Sequence, residues 1–196
     1  IQSAINALPA TGGNIVIKEG TYSITSNFMA GVTKPVTILF GDTTFSVTAG
    51  VTIAVTSPKI KVIGAGIGRT IFLFSNTGAV DGWQVTSGQS DSCFGGFTVN
   101  MQNIGTGAGF KVLGSFVLGK IEDIEVINSG GVGFHFLAIM NGAPTLCLFS
   151  GLLALNNAGV GILVDAVGSN TGVNRNTFLN CHSNVNGGGG VLSRAD

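Results

Sequence analysis

The sequence predicts an all-β fold, a parallel β-solenoid whose first coil is covered by a short helix. Three observations predict it: a repeat of about 28 residues, turn residues at the same place in successive copies, and a composition rich in glycine and poor in charge. The repeat reads apolar, two residues, apolar, one residue, small or apolar, six residues, then Gly-apolar-x-apolar. One copy is Ile121, Ile124, Val126, Gly133, Phe134, Phe136. The next is Phe149, Leu152, Ala154, Gly161, Ile162, Val164, and a third is Phe178, Cys181, Ser183, Gly190, Val191, Ser193. Upstream, Phe94, Phe97 and Val99 match, and Gly109, Phe110 and Val112 follow after three extra residues; Gly82, Trp83 and Val85 continue the second element. The strand starts Phe94, Ile121, Phe149 and Phe178 are 27, 28 and 29 residues apart. The turns are Asn-Ser-Gly-Gly (128–131), Asn-Asn-Ala-Gly (156–159) and Asn-Val-Asn-Gly (184–187), and Asn and Gly tolerate the left-handed backbone that tight turns need. The runs between them alternate with period two and are too short for helices. Such units bury their apolar side only by stacking, each coil about 4.8 Å from the next. Propeller blades are longer, about 40 residues or more, and no leucine-rich consensus occurs.

Each element follows in order. Residues 1–8 (IQSAINAL) place Ile1, Ala4, Ile5 and Leu8 on one helical face, and Pro9 with Gly12-Gly13 ends the helix. Residues 1–13 are therefore a cap that hides the open strand edges of the first coil, and 14–196 the solenoid, whose winding starts with a strand at 14–18 and a turn at Glu19-Gly20. Trp83 takes the core position that Phe110 and Phe134 hold in later copies, and Cys181 falls at a core position as a small apolar residue. At 196 residues and 19.8 kDa the chain makes a single domain, expected to be a fragment of a longer one because it opens at Ile1 without a Met. No signal peptide is visible.

Composition narrows the function. Nine basic and nine acidic residues make 9% charged, against about 25% in ordinary domains, and glycine numbers 32. Zero net charge leaves no basic footprint for nucleic acid and no polybasic membrane patch. A hydrophobic content of 44% and mean hydropathy of +0.51 exclude disorder. The apolar stretch 137–155 has the length of a spanning helix, but Asn141, Gly142, Pro144 and Ser150 interrupt it and the repeat runs through it, so no membrane insertion is expected. Cys93, Cys147 and Cys181 form no CxxC and no zinc set with His135 and His182. The glycines of GAGIG (64–68) lack the spacing of a nucleotide fingerprint, and no helix follows.

The opening run IQSAINALPATGGNIVIKEGTYSIT (1–25) resembles the start of the pectate-lyase-like, right-handed single-stranded parallel β-helix superfamily, in which a cap helix leads into a passage like Gly12-Gly13 … Gly20-Thr21-Tyr22. The segment 57–70 (SPKIKVIGAGIGRT) is similar to that family's next coil, and the later coils extend the resemblance over nearly the whole chain. The resemblance implies an extracellular or virion-surface protein that binds or acts on polysaccharide, a lyase or glycosidase if active, with phage tailspikes and inactive structural proteins also in the superfamily. From the tailspikes it also implies a side-by-side homotrimer.

Chemistry in that family is carried by polar groups on the outer face of stacked strands. No Asn-Thr-Asp, Asp-Asp, Gly-His-Gly or Arg-x-Lys element occurs here, which counts against a polygalacturonase-type hydrolase. The candidates are Glu122, Asp123, Glu125 and His182. The first three form the carboxylate cluster beside Lys120, either a sugar or calcium site or a solvated strand edge with Lys120 as counter-ion. No other cofactor or metal is expected. Glu125 and His182 share the outward column Thr98, Glu125, Leu153, His182, but two coils separate them, roughly 9.6 Å. That is too far for a direct acid-base pair, though a substrate spanning the coils meets both. His135, in the column Lys111, His135, Leu163, Leu192, reads as structural, and Asp165 with Arg194 as a cross-coil ion pair. Leu113, Leu137, Leu153, Leu163 and Leu192 all fall on outward columns, so an apolar surface is expected to drive oligomer formation or to be covered by the loops 138–145 and 167–174.

Overall fold

The computed structural model describes residues 1–86, 89–139, 142–167 and 175–195. Every ladder between the strands is parallel, and each strand pairs with the equivalent strand of the next coil. Three faces result. The first stacks Gly13–Ile17, Val36–Phe40, Ile60–Ile63, the starts of Cys93–Asn100 and Lys120–Ile127, then Leu148–Ser150 and Thr177–Leu179. The second stacks Gly20–Ile24, Thr43–Val47, Thr70–Phe74, the ends of the same two long strands, then Leu153–Leu155 and His182–Asn184. The third stacks Ile53–Val55, Trp83–Val85, Phe110–Leu113, Phe134–Ala138, Ile162–Ala166 and Val191–Ala195. A small third sheet, Gln89–Ser90, Phe116–Val117 and Pro144–Thr145, joins the third face to the first.

The strands form here because period-two alternation puts one apolar row inside each coil. Phe94, Ile121, Phe149 and Phe178 stand in register, as do Trp83, Phe110, Phe134, Ile162 and Val191. Aromatic rings run through this core, Phe45 on Phe72 at 4.7 Å and Phe136 on Phe149 at 4.4 Å between centroids. Fully burying one such side chain contributes roughly 1.5–3 kcal/mol.

Single left-handed residues turn the corners, and they too form columns. Lys59, Asp91, Leu118, Leu146 and Arg175 (φ between 53° and 58°) separate the small sheet from the first face. Gly96, Asp123, Gly151 and Asn180 (φ 51–70°) separate the first face from the second. The third corner uses Asn128 and Asn156, but in the last coil the positive φ falls on Val185 and not on the Asn184 that its sequence suggests. Asn184 pairs with Leu155, inside the strand, so register and not residue type decides which residue turns. Asparagine side chains satisfy the corner amides: Asn157 Oδ1 accepts from the Ser129 N–H and Asn186 Oδ1 from the Asn157 N–H, each at 2.9 Å.

The two ends differ. The helix Gln2–Ala7 buries Ile5 over the first coil, and Lys34 Nζ donates to the Asn6 and Leu8 carbonyls to hold it there. In the last described coil Phe178 is 38% exposed where its counterpart Phe149 is 0%, and Cys181 is half-buried for the same reason. The apolar stretch 137–155 is broken into short strands, and among the described residues no helix is long and apolar enough to cross a membrane.

Candidate functional site: a trough on the first face

From Asp91 onwards the first face is only four residues wide between its two left-handed corners, and the third of the four points inwards. The residues on either side of it therefore form two floor columns. One is Asn14, Thr37, Lys61, Cys93, Lys120, Leu148, Thr177; the other is Val16, Leu39, Ile63, Gly95, Glu122, Ser150, Leu179. The first corner column stands beside this floor as a wall of Lys59, Asp91 and Leu118. The trough deepens into recesses that share residues. A recess of about 400 Å³ is lined by Asn14, Thr37, Lys59, Lys61 and Asp91. The next, about 360 Å³, is lined by Lys61, Asp91, Cys93, Leu118, Lys120 and Glu122. A third is floored by Gly64, Gly66, Gly95 and Gly96, with Cys93, Glu122 and Asp123 at its side. That floor is flat because side chains are excluded: a Cβ on Gly64 would sit 2.1 Å from the Gly96 carbonyl oxygen. Burial raises the Cys93 thiol above its ordinary pKa, and the nearby Glu122 charge adds to this, so the middle of the trough carries a neutral thiol.

The four predicted site residues divide between two faces. Glu122 lies in the trough, where the Ser150 hydroxyl approaches its Oε1 at 3.4 Å. Asp123 lies at the trough's edge as a left-handed corner residue, and its carboxylate leans over Gly151, where a Cβ would meet Oδ1 at 2.2 Å. Its backbone position alone accounts for an Asp here. Glu125 belongs to the second face: its Oε2 accepts from Thr98 Oγ1 at 2.9 Å, and Thr98 Oγ1 accepts from the Gly68 N–H at 3.0 Å. This chain pins the 64–69 turn onto the solenoid and leaves Thr98 only 2% exposed, which corrects its reading as an open surface position. His182 is exposed on the same column, with Leu153 between it and Glu125 as expected. Lys59, Lys61 and Asp91 escaped the sequence reading. Lys61 pairs with Cys93 across a 32-residue coil, and the extra residues of that coil hide the register.

A second charged cluster lies on the third face. Lys111 pairs with Asp81 at 3.3 Å, and Arg194 with Asp165 at 3.0 Å, the expected cross-coil pair. His135 Nε2 stands 3.7 Å from the same Asp165 oxygen, beyond hydrogen-bond length, and has no hydrogen-bond partner among the described residues. Burial lowers the His135 pKa and the Lys111 charge adds to this, against the opposing pull of Asp165 and Asp81. Among the described residues no three His, Cys, Asp or Glu side chains are placed to hold a metal ion. The outward leucines are less available than the sequence suggests: Leu163 is 4% exposed in the single chain, and Leu113, Leu137 and Leu153 are half-buried. Of the loops proposed to cover them, residues 140–141 and 168–174 lie outside the described residues.

No family model matches the sequence, and no curated protein matches it. Two solved structures are similar to this chain. The A-module of mannuronan C-5 epimerase AlgE4 from Azotobacter vinelandii superimposes with a TM-score of 0.62 over 80% of this chain at 18% identity, and this chain spans 45% of that one. ORF18 of Geobacillus virus E2 gives a TM-score of 0.46 over 92% of this chain and 36% of its own, at 15% identity. With its parallel ladders, stacked cores and helical cap, the chain has the parallel β-helix fold that it shares with the epimerase module.

Proposed function

We propose that this chain is a polysaccharide-binding β-helix of the extracellular space or a virion surface, and that glycan lies in the trough of the first face. The observation that carries this is the trough itself. It runs across the stacked strands, so one extended polymer meets the same two floor columns coil after coil. Lysines, carboxylates and a glycine floor give it groups that bind hydroxyls and anions beside a flat surface for a sugar ring. The shared fold with a module of a mannuronan C-5 epimerase supports a polysaccharide ligand.

Strong lyase or hydrolase turnover is not expected from this segment, since the elements that carry it in the superfamily are missing. A screen of acidic and neutral polysaccharides, followed by calorimetry and by release of unsaturated uronate or new reducing ends, tests both statements. Binding lost in Lys61→Ala and Lys120→Ala supports the trough; binding unchanged in both places the ligand elsewhere. If turnover is found and survives replacement of Glu122, Asp123, Glu125 and His182 together, the catalytic face is also elsewhere.

A second reading is a non-catalytic structural or adhesive segment packed as a parallel homotrimer. It is favoured by the exposed leucines Leu118 and Leu146, adjacent on one corner ridge, and by Leu192 on the third face. Leu163 no longer supports it. Light scattering that finds a monodisperse monomer at micromolar concentration removes it.

A further inference from the structure

Two lysines of the trough floor stand two coils apart. Lys61 and Lys120 occupy one floor column with Cys93 between them, so two strand spacings, roughly 9.6 Å, separate their backbone positions. Both line the same recess, and among the described residues neither has a carboxylate within 4.0 Å. The intervening coil presents the uncharged Cys93 and Gly95 on the floor and Asp91 on the wall. An extended polysaccharide of 1,4 or alternating 1,3 and 1,4 linkages advances by about one strand spacing per sugar, so two sugars bridge the two lysines. Carboxylates stand beside this path: Asp91 on the wall and Glu122 on the same coil as Lys120. They accept hydroxyls from an uncharged sugar and repel an anionic one.

We propose that the trough selects an anionic glycan with one charged group per two sugar residues, Lys61 and Lys120 each taking one such group. This rests on the polysaccharide reading above and narrows it. A fully anionic polymer also reaches both lysines, but its intervening charge, on the Cys93 coil, meets Asp91 on that coil's wall. A neutral polymer leaves both lysines without a counter-charge.

The test uses the whole chain and three fluorescent octasaccharides: an unsulfated chondroitin backbone, with a uronate at every second sugar, a homogalacturonan, charged at every sugar, and a neutral β-1,4-glucan. The chondroitin probe is expected to bind about fivefold tighter than either of the others. Lys61→Ala and Lys120→Ala should each weaken it about fivefold, while Lys18→Ala, on an exposed turn outside these recesses, leaves it unchanged. Asp91→Asn should improve the homogalacturonan more than the chondroitin and so narrow the preference. Circular dichroism confirms that each variant is folded. Equal binding of the alternating and fully charged probes, or a preference that survives the double Lys61→Ala/Lys120→Ala change, overturns the inference while leaving the polysaccharide reading in place. No binding by any probe overturns both.

Discussion

The first and third faces are built from the same repeat and treat charge in opposite ways. On the third face Lys111 meets Asp81, and Arg194 and His135 converge on Asp165, so charges in successive coils neutralise one another. Asp81 also accepts the Ala108 N–H at 2.8 Å, which ties one coil's turn to the next. On the first face Lys61 and Lys120 are separated by a coil whose floor residues are uncharged, and neither has an ion-pair partner among the described residues. Stacking converts sequence periodicity into columns, and adjacent charges in a column pair off. Charges one coil further apart stay available to a ligand. A cross-coil network holds the solenoid together; an interrupted column offers a surface.

The largest expected effect tests the structural half of this contrast. Asp81→Ala leaves the Ala108 amide and the half-buried Lys111 without their acceptor, and should lower the unfolding free energy by about 2–3 kcal/mol in urea titration. A cost no greater than that of Lys61→Ala, expected within about 0.5 kcal/mol, would erase the distinction between the faces. Asp165→Asn comes next. Arg194 is largely exposed, so solvent screening limits the loss to about 1 kcal/mol, and amide exchange should quicken in Val191–Ala195 before the middle coils.

The pH dependence sharpens the comparison further. His135 has a lowered pKa when folded, chiefly from burial, so below its ordinary value near 6.5 the unfolded chain binds the proton more readily. The corresponding stability is complete above about pH 6.5 and is lost as pH falls from there through the folded value. Thermal melts should show this decline, and His135→Gln should flatten it; a His135→Gln variant with an unchanged pH profile would show that other groups cause the slope. The smallest effect belongs to the trough, where the double Lys61→Ala/Lys120→Ala change should leave stability within about 0.5 kcal/mol while reducing both glycan binding and its sensitivity to salt.

From Phe94 to Ser193 the columns were legible in the residues, because the copies run nearly without interruption and alternation declares which side chains point inwards. Glu122 was recognisable there as an outward carboxylate, and Asp165 with Arg194 as a pair. Upstream, the longer coil between Lys61 and Cys93 concealed the alignment that makes Lys61 the partner of Lys120. The wall of the trough was hidden for another reason: Leu118 and Lys59 adopt a left-handed backbone that favours Gly, Asn or Asp, so their residue types gave no sign of a corner.

The sequence by itself determined the coil, its core and its capped first end, since alternation and a repeat of about 28 residues are properties of neighbouring residues and successive copies. Only the tertiary structure decided which outward residues are open. Thr98 is covered by a turn held through Gly68, Leu163 is buried within one chain, and Glu125 is committed to Thr98 while Glu122 faces the trough. Outside the coil, burial depends on corner conformations and on segments that arrive from other coils, and neither is encoded in the alternation that builds the strands.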